Sequence, residues 1–343
     1  MLQAVVVRPG SIEVRDVPVP SVQGSMVLIE VRNIGICGSD MHVFHGEHIY
    51  KEYPVILGHE VSGEVRETGD GVTGIESGDR VIVRPQVTCG NCYNCRHGNY
   101  NICSDLKVVG FHVPGAAGEY LLVPQENVIP IPGTMSFEEG AMVEPLAVAV
   151  HALRKCGDVG GKKVLVLGAG PIGNLVAQVA RAKGAEAVMI TDRSRFKLEK
   201  ASDCGVTYPV NILTDNIEKT IVSEFGPDKA DVILECVGIE DTVEQAIELA
   251  RGGTDIIIVG VPGEKFHLDI SLVQNLELKL IGTLMYKEED FGDAIRFIDE
   301  DRVELKKLVT DRFPFSEYAE AYRYIDDKGD CTMKVQIYFE GKE

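Results

Sequence analysis

The chain has 343 residues, 45% hydrophobic and 25% charged, which suits a globular protein of about two domains. Its 53 acidic residues outnumber 34 basic ones and leave a net charge of −19, so nucleic acid and anionic membrane surfaces are excluded as partners, there being no local basic patch to reverse that field. No segment approaches the roughly 20 apolar residues needed to cross a bilayer, and the run from Leu2 to Val7 reads as a strand and not as a leader.

In chain order, the first 145 residues are dense in short β-like runs, at 27–31, 63–65, 80–84 and 120–123. Turn formers such as Gly69-Asp70-Gly71 and Gly78-Asp79 separate them, a pattern that predicts an antiparallel β domain. Within this region Cys89, Cys92, Cys95 and Cys103 follow a C-x2-C-x2-C-x7-C spacing on a loop rich in Gly, Asn and His. Four thiolates so close together read as a closed, structural zinc site over about 85–105, with an iron–sulfur cluster as the other reading. Thiols used as metal ligands in a large chain with nine cysteines point to a reducing, cytoplasmic setting.

The pattern changes near Glu144. Residues 148–155 read as a helix, and beyond Gly160-Gly161 strands alternate with helices: strands at 163–167, 187–191, 206–209, 232–235, 256–260 and 279–282, helices at 172–183 and 197–203. Such alternation predicts a doubly wound parallel sheet over 148–285. From about Tyr286 the chain reads as two helices, 289–300 and 315–325, and a last strand, 334–339. That tail is expected to rejoin the first domain, giving domains of 1–147 with 286–343, and 148–285.

The first strand of the second domain runs into Gly168-Ala169-Gly170-Pro171-Ile172-Gly173, which opens a helix. Glycines at these three positions permit a tight turn, close approach to a pyrophosphate and helix-to-strand packing, while the helix start offers amide donors. Asp192 ends the second strand, placed to bind ribose hydroxyls and to repel a 2′-phosphate. The expected cofactor is therefore NAD, with Arg193 next to Asp192 either stacking on adenine, softening that preference, or lying exposed. A dispersed set, Cys37, His59, Glu60 and Glu144, offers sulfur, nitrogen and oxygen donors that could hold a second zinc with an open position.

The motifs Gly35-Ile36-Cys37-Gly38-Ser39-Asp40, Gly58-His59-Glu60, the four-cysteine lobe and Glu144-Pro145-Leu146, in this order, resemble the zinc-dependent medium-chain dehydrogenases, in their sorbitol, threonine and sugar-acid branch. The resemblance implies an α/β plus β fold, a GroES-like catalytic domain with an inserted Rossmann sheet, and two zincs per chain with NAD. It implies that Cys37, His59 and Glu60 are catalytic zinc ligands, with Glu144 a fourth ligand or just behind the metal-bound water. Ser39 and His42 match a proton relay, and Asp40 a carboxylate that orients the histidine ligand. Val43, where sorbitol enzymes carry an aromatic residue, and Pro114-Gly115, where sugar-acid members carry an acidic residue before glycine, depart from the pattern. The expected activity is NAD-linked interconversion of a secondary alcohol of a polyol, sugar or sugar acid with its ketone. The alternatives are an L-threonine 3-dehydrogenase acting on an amino alcohol and a non-catalytic dinucleotide-binding relative. A homodimer or homotetramer is implied as well.

Overall fold

The computed structural model describes residues 1–48 and 52–340, which cluster into two compact units. The first comprises Met1–Glu144, Val309–Gly329 and Lys334–Glu343, and the second Pro145–Leu308 and Asp330–Met333. Among the described residues no helix is long and apolar enough to cross a membrane.

The first unit is built on a seven-stranded sheet. Its spine is Met26–Gly35, whose Val27, Ile29 and Val31 are fully buried, as expected of alternating β-branched residues facing a core. Glu60–Thr68 runs antiparallel along one side of the spine. On the other side, Tyr120–Pro124 pairs with its first half and Lys334–Tyr338 with its last residues. The register sets Gly35 opposite both Glu60 and Gln336, so three segments far apart in sequence meet at one end of the sheet. A helix, Gly38–His45, follows directly from the spine.

The second unit carries six parallel strands in the order Tyr208–Asn211, Ala187–Asp192, Lys163–Leu167, Val232–Glu235, Asp255–Ile258, Lys279–Gly282. The central strands are continuous apolar runs because helices cover both faces of a parallel sheet. Strand order reverses between Lys163–Leu167 and Val232–Glu235, the switch point where such sheets bind ligands at their carboxyl ends.

The unit boundaries differ from the sequence division at 147/148 and 285/286. Residues 286–308 belong with the second unit because the helix Glu288–Asp299 is tied to the helix Val143–Lys155. The buried Asp290 accepts hydrogen bonds from His151 Nδ1 and Arg154 Nε, both at 2.7 Å, and Arg154 also reaches Asp293 at 2.9 Å. Tyr286, fully buried, meets Phe291 edge to face at 4.7 Å. Periodicity shows that such a helix exists but not which core its charged side chains are tied to. The helices Ile217–Phe225 and Glu240–Leu249 and the strands Ser11–Asp16, Val128–Pro130 and Val309–Pro314 are further elements the sequence reading did not single out.

Candidate metal centres and dinucleotide turn

Cys89, Cys92, Cys95 and Cys103 bring their sulfurs within 4.8 Å of one another. The loop folds into a short helix, Tyr93–Arg96, with Cys92 at its N-cap, followed by a single 3-10 turn, Tyr100–Ile102. Backbone amides point at the sulfurs: Cys92 N–H to Cys89, Cys95 N–H to Cys92, and Asp105 N–H to Cys103, each at 3.4 Å. Amide donation favours the thiolate, and the amides of Ser104 and Cys95 hold the Cys92 thiol down to about 5. Four convergent thiols with aligned amides fit a closed tetrahedral zinc site.

Cys37, His59 and Glu60 form the second such group, again within 4.8 Å. Cys37 is the N-cap of the helix Gly38–His45, and His59 and Glu60 lie where the neighbouring strand begins. The group is held from behind. Asp40, fully buried, accepts the Cys37 amide at 2.9 Å and lies 3.3 Å from His59 Nδ1, which leaves Nε2 as the ring nitrogen for a metal. Burial works against charge on His59, but the Asp40 carboxylate and Cys37 outweigh it and raise its pKa well above the ordinary value. Glu60 is gripped by Lys334, whose Nζ donates to both carboxylate oxygens at 2.6 and 2.7 Å and to Ile36 O at 3.2 Å. Burial would lower the Lys334 pKa, yet Glu60, then Cys37 and Glu144, hold it above the usual lysine value. Gly35 makes room for this arrangement, since a Cβ there would overlap Glu60 Oε2. The soft thiolate, imidazole and carboxylate donors fit zinc with a coordination position left over.

Glu144 is buried beside this group, at the head of the helix Val143–Lys155, but its carboxylate is not among the atoms that cluster within 4.8 Å. Ser39 and His42 sit three residues apart on one helix face, Ser39 half-buried and His42 exposed with Nδ1 3.5 Å from Glu47. His48 stacks on Phe111 at 5.0 Å, and Phe111 packs against the His59 ring at 5.1 Å. Burial, followed by the nearby His42, lowers the His48 pKa.

In the second unit each glycine of the turn has a distinct reason. Gly168 has φ +97°, and a Cβ on Gly173 would overlap Gly168 O, so that glycine is set by packing. A Cβ on Gly170 would meet nothing in the protein. Its openness leaves the approach clear for a ligand, as a pyrophosphate requires. Gly170 is also the N-cap of the helix Pro171–Ala182, whose first turn has Pro171 at N1, Ile172 next, and no side-chain cap, leaving that end to an anion. Asp192 is fixed at the sheet edge by the amides of Ala169 and Ser194, both at 2.8 Å. These features fit a dinucleotide. Arg193 is turned to Asp330, as is Lys197.

Sequence reasoning missed Lys334, Gly35, Lys197 and Asp330. A lysine between the apolar Met333 and Val335, in a strand run that also carries Gln336, was the one available signal for Lys334.

Comparison with known proteins agrees with this geometry. The alcohol dehydrogenase GroES-like domain family matches residues 23–133, and the zinc-binding dehydrogenase family matches residues 171–300. Sorbitol dehydrogenase 2 of Saccharomyces cerevisiae is 34% identical over 345 residues, covering 96% of this chain and 95% of the relative. L-galactonate-5-dehydrogenase of Escherichia coli is 30% identical, covering 90% and 89%. A zinc-binding dehydrogenase of Sinorhizobium meliloti, solved bound to NADP, superposes with a TM-score of 0.92 at 32% identity over 98% of both chains.

Proposed function

The chain belongs to the zinc-binding dehydrogenases with a GroES-like domain, as an NAD(P)-linked alcohol or polyol oxidoreductase, and from that premise we propose that it oxidises a secondary alcohol of a polyol, sugar or sugar acid to the ketone. The observation that carries the proposal is the convergence of Cys37, His59 and Glu60, a three-donor set in which Glu144 is not among the clustered atoms. Zinc held there supplies Lewis acidity toward a hydroxyl, and NAD supplies the hydride acceptor.

The chain's own residues do the rest. Asp40 fixes the His59 tautomer and anchors the Cys37 backbone. Lys334 neutralises Glu60, so the ligand set can be buried without an unpaired carboxylate. Ser39 Oγ would accept the hydroxyl proton while releasing its own toward His42, exposed on the same helix face, which hands it to solvent. Glu144 stands by as an occasional further ligand. The four-cysteine lobe holds a second, structural zinc. A reducing, cytoplasmic setting fits thiols placed as ligand donors, and a homodimer or homotetramer is the oligomer we propose with it.

The test is a panel: NAD reduction over polyols, aldonates and threonine, with zinc counted per chain. Turnover on a polyol or aldonate supports the reading. Turnover confined to threonine would move it to an amino-alcohol enzyme.

A further inference from the structure

We propose that Asp330 sets cofactor choice: it engages Arg193 and Lys197, two cations that follow Asp192, and so denies them to the 2′-phosphate of NADP. This rests on the dinucleotide reading of the Gly168–Gly173 turn and deepens it.

Asp192 marks where the ribose end of the cofactor would lie, since its carboxylate is pinned between the amide of Ala169 in the glycine turn and that of Ser194. Arg193, Arg195 and Lys197 are the cations that follow it in sequence, and two of them engage Asp330: Lys197 with a mostly buried side chain, Arg193 through Nε on a side chain that is 71% exposed. Lys197 Nζ donates to Asp330 Oδ1 at 2.6 Å, and Arg193 Nε lies 3.3 Å from Asp330 Oδ2. The backbone of Asp330 is fastened to the same place, because Ser194 Oγ donates to its carbonyl at 2.9 Å. Ser194 in turn caps the helix Arg195–Asp203 by accepting the Lys197 amide. Three contacts thus bind a residue from the far end of the chain to the start of this helix. They account for Asp330–Met333 clustering with the second unit. The remaining cation of the stretch, Arg195, pairs with Glu199 at 2.9 Å and is nearly fully exposed.

The charges decide what fits. The carboxylates of Asp192 and Asp330 balance the charges of Arg193 and Lys197, so the stretch is near neutral and the Asp192 acceptor suits ribose hydroxyls. A 2′-phosphate adds roughly −1.5 to −2 charges, meets Asp192, and finds Lys197 and the Arg193 Nε already paired with Asp330. Asp192 alone repels the phosphate; Asp330 removes the groups that could answer that repulsion. The hydrogen bond from Lys197, then the charge of that lysine and of Arg193, hold the Asp330 carboxyl below the usual range, so it stays ionised throughout the working pH.

The test is equilibrium binding of NADH and NADPH to the full zinc-loaded chain, read by nicotinamide fluorescence, with 2′,5′-ADP and 5′-ADP as competitors. Asp330→Asn is expected to shift the NADPH-to-NADH affinity ratio about tenfold toward NADPH, the order expected for freeing screened cations beside a phosphate. That gain should shrink as salt rises, return to the wild-type ratio in Asp330→Glu, and vanish in the Asp330→Asn/Lys197→Met double variant. A ratio unchanged within about twofold, or parallel weakening of both dinucleotides, overturns the proposal, the latter because a merely structural aspartate gives that result. If the unaltered chain binds neither dinucleotide, the reading of the glycine turn fails, and this inference fails with it.

Discussion

The two candidate metal centres of the first unit are built in opposite ways. Cys89, Cys92, Cys95 and Cys103 fall within fifteen consecutive positions, and their supports are the amides of the same loop. Cys37, His59 and Glu60 come from two elements, and the groups that aim them, Asp40 and Lys334, are side chains from a helix and from a strand near the end of the chain. A closed site can be written locally, because its sulfurs need only converge. An exchangeable site must stay rigid with a position empty, so its orientation is supplied from outside the ligand set.

This difference is open to attack by mutation, beginning with the lobe. Cys92→Ser is expected to remove about one zinc per chain and cost stability on the order of 10 kcal/mol at the lobe, the scale of structural zinc in small domains. Activity should fall only as the fold does. Metal analysis alongside thermal denaturation reads both. If this variant loses turnover while its melting curve is unchanged, the lobe is not the structural member of the pair.

In the metal-free chain, Lys334→Met leaves Glu60 buried without its counter-charge, a change that costs about 3–5 kcal/mol when one partner of a buried pair is removed. Adding Glu60→Gln should recover most of that loss in denaturant unfolding, because the stranded charge is gone. A double variant no more stable than the single one would mean that Lys334 supports the fold by packing and not by pairing.

Cys37→Ala tests the other centre directly. Turnover should fall about a thousandfold, matching the several kcal/mol a Lewis-acid metal contributes, while the melting temperature and NAD binding persist. Should Cys37→Ala and Cys92→Ser produce the same phenotype, the contrast between the two centres collapses.

The same contrast explains what could be read from the sequence. The lobe and the glycine turn were legible because their chemistry lies in consecutive spacing: Gly168 takes a positive φ, Gly173 packs too closely for a Cβ, and Gly170 stands open. The parallel strands were legible as apolar runs between turn signals, as at 163–167 and 232–235. Cys37, His59 and Glu60 are unremarkable one by one; their donor types allowed one possible zinc set, and only the resemblance made it specific. Lys334 and Asp330 were out of reach, since pairing with Glu60 and with Lys197 follows from sheet register and unit packing. No local pattern reports either. That residues 286–308 cluster with the second unit was out of reach for the same reason.

Asp290 offers the mildest test, because it repeats the logic of Glu60 where no metal is involved. It is a buried carboxylate held by the His151 imidazole and the Arg154 guanidinium, and it ties two helices of the second unit together. Burial pushes its pKa up, but the hydrogen bond from His151, with those from Lys287 N–H and Arg154, wins and leaves it below the usual aspartate value. A carboxyl whose folded pKa is depressed contributes stability that is fully present above its unfolded value, near 4. That contribution fades as pH falls through the lower folded value, because protonation then releases both partners. Asp290→Asn should therefore cost about 1–3 kcal/mol near neutrality, the usual loss when buried donors lose a charged acceptor. The difference from the unaltered chain should narrow steadily below pH 4 in acid-titrated unfolding. A gap that stays constant from neutrality down to about pH 2 would show that Asp290 holds the two helices by shape alone and not by its charge.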